Sequence, residues 1–497
     1  MDPSPKDDGA AHPRPTGAPV FERGRALLKH LAAVNARSLP YEERLRVLLD
    51  AGARTQVILH DLAKVYEGSP QPMGEHSREA LALARSLAFT CGRGYRVAAD
   101  QAIAGSNAAS RNEAPLILAA MRCIGDAMRG SYRSYSRLPE GAWKEMHDLY
   151  LQAERLGIVD VPADSHAGIS VGAHYRESLL VSLTDPYRLM PGELEAIEAL
   201  IRDLRAPVTL TRDRPATRRT CHFLVDCGED RPPRPLGDGE PVAAGTTLRV
   251  LDTSAIVEAL GAISAPVAGW PDGDERGHLA AKLAALWDDP PRRAQHRDEV
   301  EGSVAICVGV KPIASFVAHD TGADGERETS ALREGLTMPL QSLPEDESGT
   351  LVPIHEWAVI NVSPGGVRVR RSASTAYPIT IGEVVGIRAP GRVQWRIGVT
   401  RWITGLPDGA TEFGVQYFAN AVCAVWLKQA IPNSVRKLAL LVAQGESSSD
   451  ELILAPGGTF VDGAEFELLG EGFRSRVRAV KLVEGNVRFE LFRVLGC

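Results

Sequence analysis

The sequence predicts an α+β multidomain protein, with an all-helical amino-terminal half and a β-rich carboxy-terminal half. Three observations carry that expectation. The chain has 497 residues, too many for one hydrophobic core. From about Phe21 to Arg205 its apolar residues recur at the three- and four-residue spacing of a buried helix face. From about residue 206 that pattern gives way to short β-branched runs broken by Gly and Pro.

Taken in order, the first twenty residues are polar and Pro-rich and predict a disordered lead-in with no secretory signal. Residues 21–205 predict a helical domain. In "YEERLRVLLDAGARTQVILHDLAKVYEG" the set Leu45, Leu48, Leu49, Leu59, Leu62, Val65 and Tyr66 marks one buried face, with Pro40 and Gly68 punctuating the ends. Trp143, His147, Tyr150 and Ala153 put large and small residues on a single face. That resembles a tetratricopeptide-like layer, although no strict 34-residue period is present. Residues 206–290 predict a small α/β connecting region, with strands such as "CHFLVDC" and "TLRVLD" followed by two helices. Residues 291–430 predict a small barrel, interrupted by a polar insertion at 319–350 that is long for a connection. Within it "AVCAVWLKQ" suggests a short helix. Residues 431–497 predict a β-rich extension.

Composition excludes several function classes. A formal charge of −7 and a pI near 6.0 argue against a general DNA, RNA or anionic-membrane binder. No apolar run approaches the length of a membrane span, so a cytoplasmic protein is expected. The seven Cys are scattered without a C-x-x-C pair, which indicates neither a disulfide framework nor a zinc ribbon. Cys221, His222 and Cys227 read as a strand with buried thiols rather than a metal site. No G-x-S-x-G, H-E-x-x-H or Walker motif occurs, so neither catalytic residues nor a cofactor are expected.

The most informative stretch is "WAVINVSPGGVRVR", residues 357–370, where a strand pattern is broken by Asn361, Ser363, Pro364, Gly365 and Gly366. Pro then Gly at its centre suits a type II turn, and Gly366 would let a ligand or a second strand approach the backbone. From 361 to 402 the chain carries seven Arg (368, 370, 371, 388, 392, 396, 401) against one acid, Glu383. A cationic surface in an acidic chain implies an anionic partner, and Arg in place of Lys favours planar, bidentate recognition of phosphate or guanine. Upstream, "RRAQHRDEVEGSVAICV" places Arg293 and Arg297 ahead of a strand.

Arg293-Ala-Gln-His-Arg297, followed by Asn361-Val-Ser363-Pro-Gly-Gly366, resembles the paired signature of the PilZ domain. That family comprises six-stranded antiparallel β-barrels that bind the bacterial second messenger cyclic di-GMP. The downstream "WRIGVTRWI…FGVQYFA" is similar to its closing strands. The resemblance spans roughly residues 291–425. It implies a cyclic di-GMP receptor that is not an enzyme, with Arg293 and Arg297 on guanine edges and phosphates and Arg292 as a helper. Asn361 would contact a guanine or ribose, Ser363 would reach a phosphate or pin the loop, and Gly366 would give backbone access. The physics agrees, since guanine offers N7 and O6 as paired acceptors that an Arg fork matches. The helical half resembles the amino-terminal region of larger PilZ-bearing proteins, and stacks of this kind present surfaces to protein partners.

Two alternatives accompany this reading. One keeps the PilZ fold without ligand, as an interaction scaffold. The other is an HD-type metal-dependent phosphohydrolase, built on His60-Asp61 in "VILHDLAKV", with His30 upstream and Asp100 or Asp126 completing the metal shell.

Overall fold

The computed structural model describes residues 18–105, 113–163, 168–204, 208–213, 219–237, 247–264, 275–290, 296–322, 354–371, 379–392, 394–419, 422–442, 451–470 and 473–496. The chain divides into two compact units. One holds most of residues 1–291; the other holds residues 292–497 together with the short segments 70–72 and 187–190.

The first unit begins with seven helices: α1 (Ala18–Ala36), α2 (Tyr41–Tyr66), α3 (Glu75–Gly105), α4 (Glu113–Arg133), α5 (Ala142–Arg155), α6 (Val171–Ser182) and α7 (Glu193–Leu204). Their lengths vary from 12 to 31 residues, in keeping with the lack of a fixed period in the sequence. Helix α1 takes in Ala18 to Val20, three residues read above as lead-in, and Val20 and Phe21 are both buried. Along α2 the buried face is Leu48, Ala51, Thr55, Ile58, Leu62 and Tyr66. Leu49, expected on that face, is 61% exposed, because one residue turns a helix by about 100° and carries it off the stripe. Gly92 and Gly94 are packing glycines: a Cβ at Gly92 would meet the Ala120 carbonyl at 3.3 Å, and one at Gly94 would meet Leu48 Cδ2 at 2.5 Å. His147 is fully buried yet satisfied, by the Tyr175 hydroxyl at 2.6 Å and the Arg231 carbonyl at 3.0 Å.

A four-stranded antiparallel sheet follows, of order β1-β4-β2-β3, built from β1 (Thr209–Thr211), β2 (His222–Asp226), β3 (Arg234–Pro235) and β4 (Leu248–Asp252). Helices α8 (Ser254–Ser264) and α9 (Glu275–Asp288) complete the unit. The Thr253 hydroxyl donates to the carbonyls of Cys221 and Trp287, both at 2.9 Å, and so ties β2 to α9.

The second unit contains β5 (Asp298–Glu299), β6 (Ser303–Val308), α10 (Val310–Gly322), β7 (His355–Ser363), β8 (Gly366–Arg371), β9 (Val384–Arg388), β10 (Arg396–Gly405) and β11 (Thr411–Ala419). These strands hydrogen-bond in the order β5-β7-β6-β9-β10-β11-β8, and β8 pairs back onto β7. The six longer strands therefore close a ring, all antiparallel, with Trp357, Val359, Val367, Val369, Ile403 and Phe413 buried on them. Strand β5 adds to β7 beyond the end of β6. A second closed antiparallel barrel comprises β12 (Val422–Gln429), β13 (Lys437–Val442), β14 (Glu451–Pro456), β15 (Glu465–Gly470), β16 (Phe473–Gly485) and β17 (Phe489–Gly496). Closure leaves neither barrel a long free edge.

Two elements differ from the sequence expectation. The stretch "AVCAVWLKQ" is strand β12, not a helix: Val425 and Leu427 are buried while Trp426 between them is 39% exposed, a period of two. Helix α10 was not anticipated; it starts at Val310, before the segment read as insertion, and only its last four residues enter it. Its Ile313, Ala314, Phe316 and Val317 join Trp395, Val399, Leu440, Leu454 and Phe489 in one core. The rest of that insertion lies outside the described residues, including Ser330 to Leu336, for which the sequence suggests a short helix.

Candidate functional site: a cationic cleft on the first barrel

The β7–β8 hairpin turns through Pro364 and Gly365, with Ser363 and Gly366 as its last facing pair. Gly365 is not among the glycines at positive φ, so the turn is not the type II form expected from Pro-Gly. The Ser363 hydroxyl donates to the Gly366 carbonyl at 3.3 Å, which pins the turn. Gly366 is required by the sheet itself, because a Cβ there would lie 2.2 Å from the Val415 carbonyl oxygen on β11.

Arg297 immediately precedes β5, whose two residues pair with β7 through Asp298↔Val362 and Glu299↔Asn361. That pairing brings the upstream Arg segment to the Asn361 turn across the long intervening sequence. Arg297, Asn361, Ser363 and Gly366 all line one cleft of about 600 Å³, together with Gly365, Val367, Arg368, Arg401, Trp402, Gly414, Val415, Gln416 and Arg188. Arg292 and Arg293 lie outside the described residues. Among the described residues, four Arg and no acid line the cleft. Arg297 is exposed, and among the described residues no hydrogen bond or ion pair holds its guanidinium.

The seven Arg between 361 and 402 are less available than their number suggests. Arg368 pairs with Glu412 and Arg370 with Asp408. Arg401 forks onto Glu484, with Nη1 and Nη2 at 2.5 and 2.8 Å from its two carboxylate oxygens, and its Nε donates to Gln416 at 2.7 Å. Arg388 and Arg396 lie over Trp395 and Tyr417. Arg371 is 2% exposed, stacks on Trp357 at 5.1 Å and has no hydrogen-bond partner among the described residues; burial pulls its pKa down to about 10. Of the seven, Arg368 and Arg401 reach the cleft. Sequence reading did not single out Arg188, Trp402 and Gln416 for the site: no motif marks them, and only strand register places the last two there.

Among the described residues, those of the hydrolase alternative form no group with metal-ligand spacing. Asp61 is held by Arg23 at 3.0 Å and Lys64 at 3.2 Å. His60 shares a different cleft with Asp126, whose carboxylate accepts from Gln56 at 2.8 Å and pairs with Arg129. Among the described residues, one group has metal-ligand spacing: Cys221, His222 and Asp252, with donor atoms within 4.8 Å of one another. Its hydrogen bonds oppose ligation. His222 Nδ1 accepts the Arg219 N–H at 3.0 Å, which leaves the proton on Nε2, 3.6 Å from Asp252 Oδ2. Asp252 Oδ1 accepts the Ser254 N–H at 2.9 Å at the start of α8. The group is a strand-to-helix junction.

No helix among the described residues is long and apolar enough to cross a membrane. No solved structure matches the chain. Two family models do, in chain order: "Cyclic-di-GMP receptor FimW, N-terminal domain" over residues 15–216 and "Cyclic-di-GMP receptor FimW, middle PilZ domain" over residues 320–422. A curated relative, the cyclic-di-GMP receptor FimW of Pseudomonas aeruginosa, is 22% identical over 523 aligned positions that cover 91% of this chain and 84% of its own. With a closed six-stranded barrel that carries the Asn361–Gly366 hairpin, and with these two matches together spanning more than half of its length, the chain belongs to the PilZ-domain cyclic di-GMP receptor family.

Proposed function

We propose that this protein is a bacterial receptor for cyclic di-GMP, that the ligand binds the cleft between Arg297 and the β7–β8 hairpin, and that the helical unit passes occupancy on to a protein partner. The observation that carries the reading is the pairing of β5 with β7, with Arg297 and Asn361 lining one cleft that, among the described residues, carries no acid. Its volume of about 600 Å³ falls in the range of small-molecule sites, roughly 300–1,000 Å³. Arg297 offers a planar fork to a phosphate or a guanine edge, and Asn361 offers an amide to a base or ribose. Arg292 and Arg293, just upstream in the sequence, are further candidates on the sequence alone. The coupling step draws support from chain connectivity: Arg188 lines the cleft and lies in sequence between α6 and α7.

Calorimetric titration with cyclic di-GMP tests the binding. Arg297→Ala is expected to weaken it roughly ten- to hundredfold, the worth of one charge-assisted contact of about 1.5–3 kcal/mol. It should leave the unfolding midpoint unchanged, since Arg297 is exposed and has no ion pair among the described residues. Absence of heat with the wild-type chain would leave the ligand-free scaffold in its place.

A further inference from the structure

The two rings of the second unit share one connectivity. Taken in chain order, the strands of the first are β6 to β11 and those of the second β12 to β17. Around each ring the neighbours run first, second, third, sixth, fifth, fourth, and the fourth closes on the first. The agreement extends to register. Counted from the turn between the fifth and sixth strands, the fourth pair is Trp402↔Gly414 in one ring and Lys481↔Arg493 in the other, and a slip follows it in both. The next fifth-strand residue in the ladder, Thr400 or Ala479, is fully buried in each. The second ring has one further slip nearer the turn, between Leu482 and Glu484.

Register therefore gives the cleft residues counterparts on the second ring. Gly414 faces Arg368, which faces Asn361. Arg493 faces Leu452, which faces Val442. Where the first ring sets Asn361 and Arg368 on its cleft, the second has Val442 and Leu452, both buried in one core with Ile313, Phe316 and Val317 of α10. The interior of the second ring is a separate core that holds Ala439, Ile453 and Phe492. Helix α10 thus lies against the outside of that ring, on the face that corresponds to the cleft. The ligand chemistry is missing there too. Residues 411–421, ahead of β12, contain no Arg, and 442–447 read Val-Ala-Gln-Gly-Glu-Ser where the first ring has Asn-Val-Ser-Pro-Gly-Gly.

Resting on the receptor reading above, we infer that the carboxy-terminal ring is a second barrel of the same connectivity whose ligand face takes a helix in place of a nucleotide. Its partner is α10, supplied from the chain between β6 and β7, and the contact is apolar where the cleft of the first ring is cationic. Cyclic di-GMP then binds one ring of each chain, and the other ring anchors the helix that leaves the first.

The test uses the full chain in two measurements. Calorimetric titration with cyclic di-GMP compares wild type with Arg297→Ala, and amide hydrogen exchange without ligand compares wild type with Leu452→Arg, which gives the second ring the residue type the first has at that point. All of the binding should weaken together in Arg297→Ala. A charge under α10 should lift the helix, so exchange across Ile313–Val317 should quicken by roughly tenfold or more in Leu452→Arg. A class of sites left at wild-type affinity in Arg297→Ala would place ligand on the second ring and overturn the inference, with the receptor reading intact. Unchanged exchange in a folded Leu452→Arg would overturn it as well. Wild type failing to bind would remove the receptor reading and this inference with it. Should Leu452→Arg fail to fold, Val442→Asn decides: faster exchange across α10 supports the docking, and wild-type exchange overturns it.

Discussion

Gly366→Ala separates two explanations of one glycine. The sequence motif suggests that position 366 is small so that a ligand can reach the backbone, whereas the structure gives the space to β11. An added Cβ would stand 2.2 Å from the Val415 carbonyl oxygen, 3.3 Å from its carbon and 3.5 Å from Gln416 Cα. All three are backbone atoms, so no side-chain rotation relieves the clash, and β8 must draw back by roughly 1 Å. The bond from Tyr417 N–H to the Gly365 carbonyl, 3.0 Å, lies at the same end of the ladder and is strained with it. Overpacking costs about 1–3 kcal/mol and a lost hydrogen bond about 1 more, so a loss of about 2–4 kcal/mol is expected. For a unit of this size that lowers the melting midpoint by roughly 5–15 °C. Circular dichroism melts of both chains without ligand measure it directly. An unchanged midpoint, with ligand binding lost, would refute the strand-contact argument and return Gly366 to the role the motif suggests.

Acid should destabilise the helical unit through His174, which burial, with help from the Arg129 and Arg122 charges, holds down at about 3. Its neutral form is kept in the fold, so stability is full above pH 6.5 and falls as pH drops toward 3, by about 2 kcal/mol at pH 5; urea midpoints of wild type and His174→Gln should converge in acid, and parallel pH profiles would contradict this. Arg371→Met should raise stability by about 1–2 kcal/mol, because it removes a buried guanidinium with no hydrogen bond among the described residues, and a clear loss in denaturant melts would mean the stacking on Trp357 is worth more than the burial costs.

The helix-to-strand change near residue 206 was legible because one period governs each half. Around the cleft, the Asn361–Gly366 turn and Arg297 were legible because their residue types sit at fixed offsets in the chain. What was not legible depends on register. Trp402 alternates in sequence like a core residue, and only the slip against β11 turns it outward. The cationic count between 361 and 402 overstated the free charge, because Asp408, Glu412 and Glu484, which pair with three of those Arg, lie outside that window. Strand β12 was mistaken for a helix because Ala, Leu and Lys favour helices, and closure of a barrel overrode that preference. Helix α10 was missed because Val308 to Val310 continues a strand pattern up to Gly309, whose φ of 97° breaks it.

The β7–β8 hairpin is also the seam at which the first ring closes, since β8 is the strand that returns to β7. A molecule held between Arg297 and the hairpin would act as a clasp over that seam. Occupancy should then be readable as resistance to protease in the hairpin, with the half-life of the Arg368–Arg371 region lengthening as ligand fills the cleft.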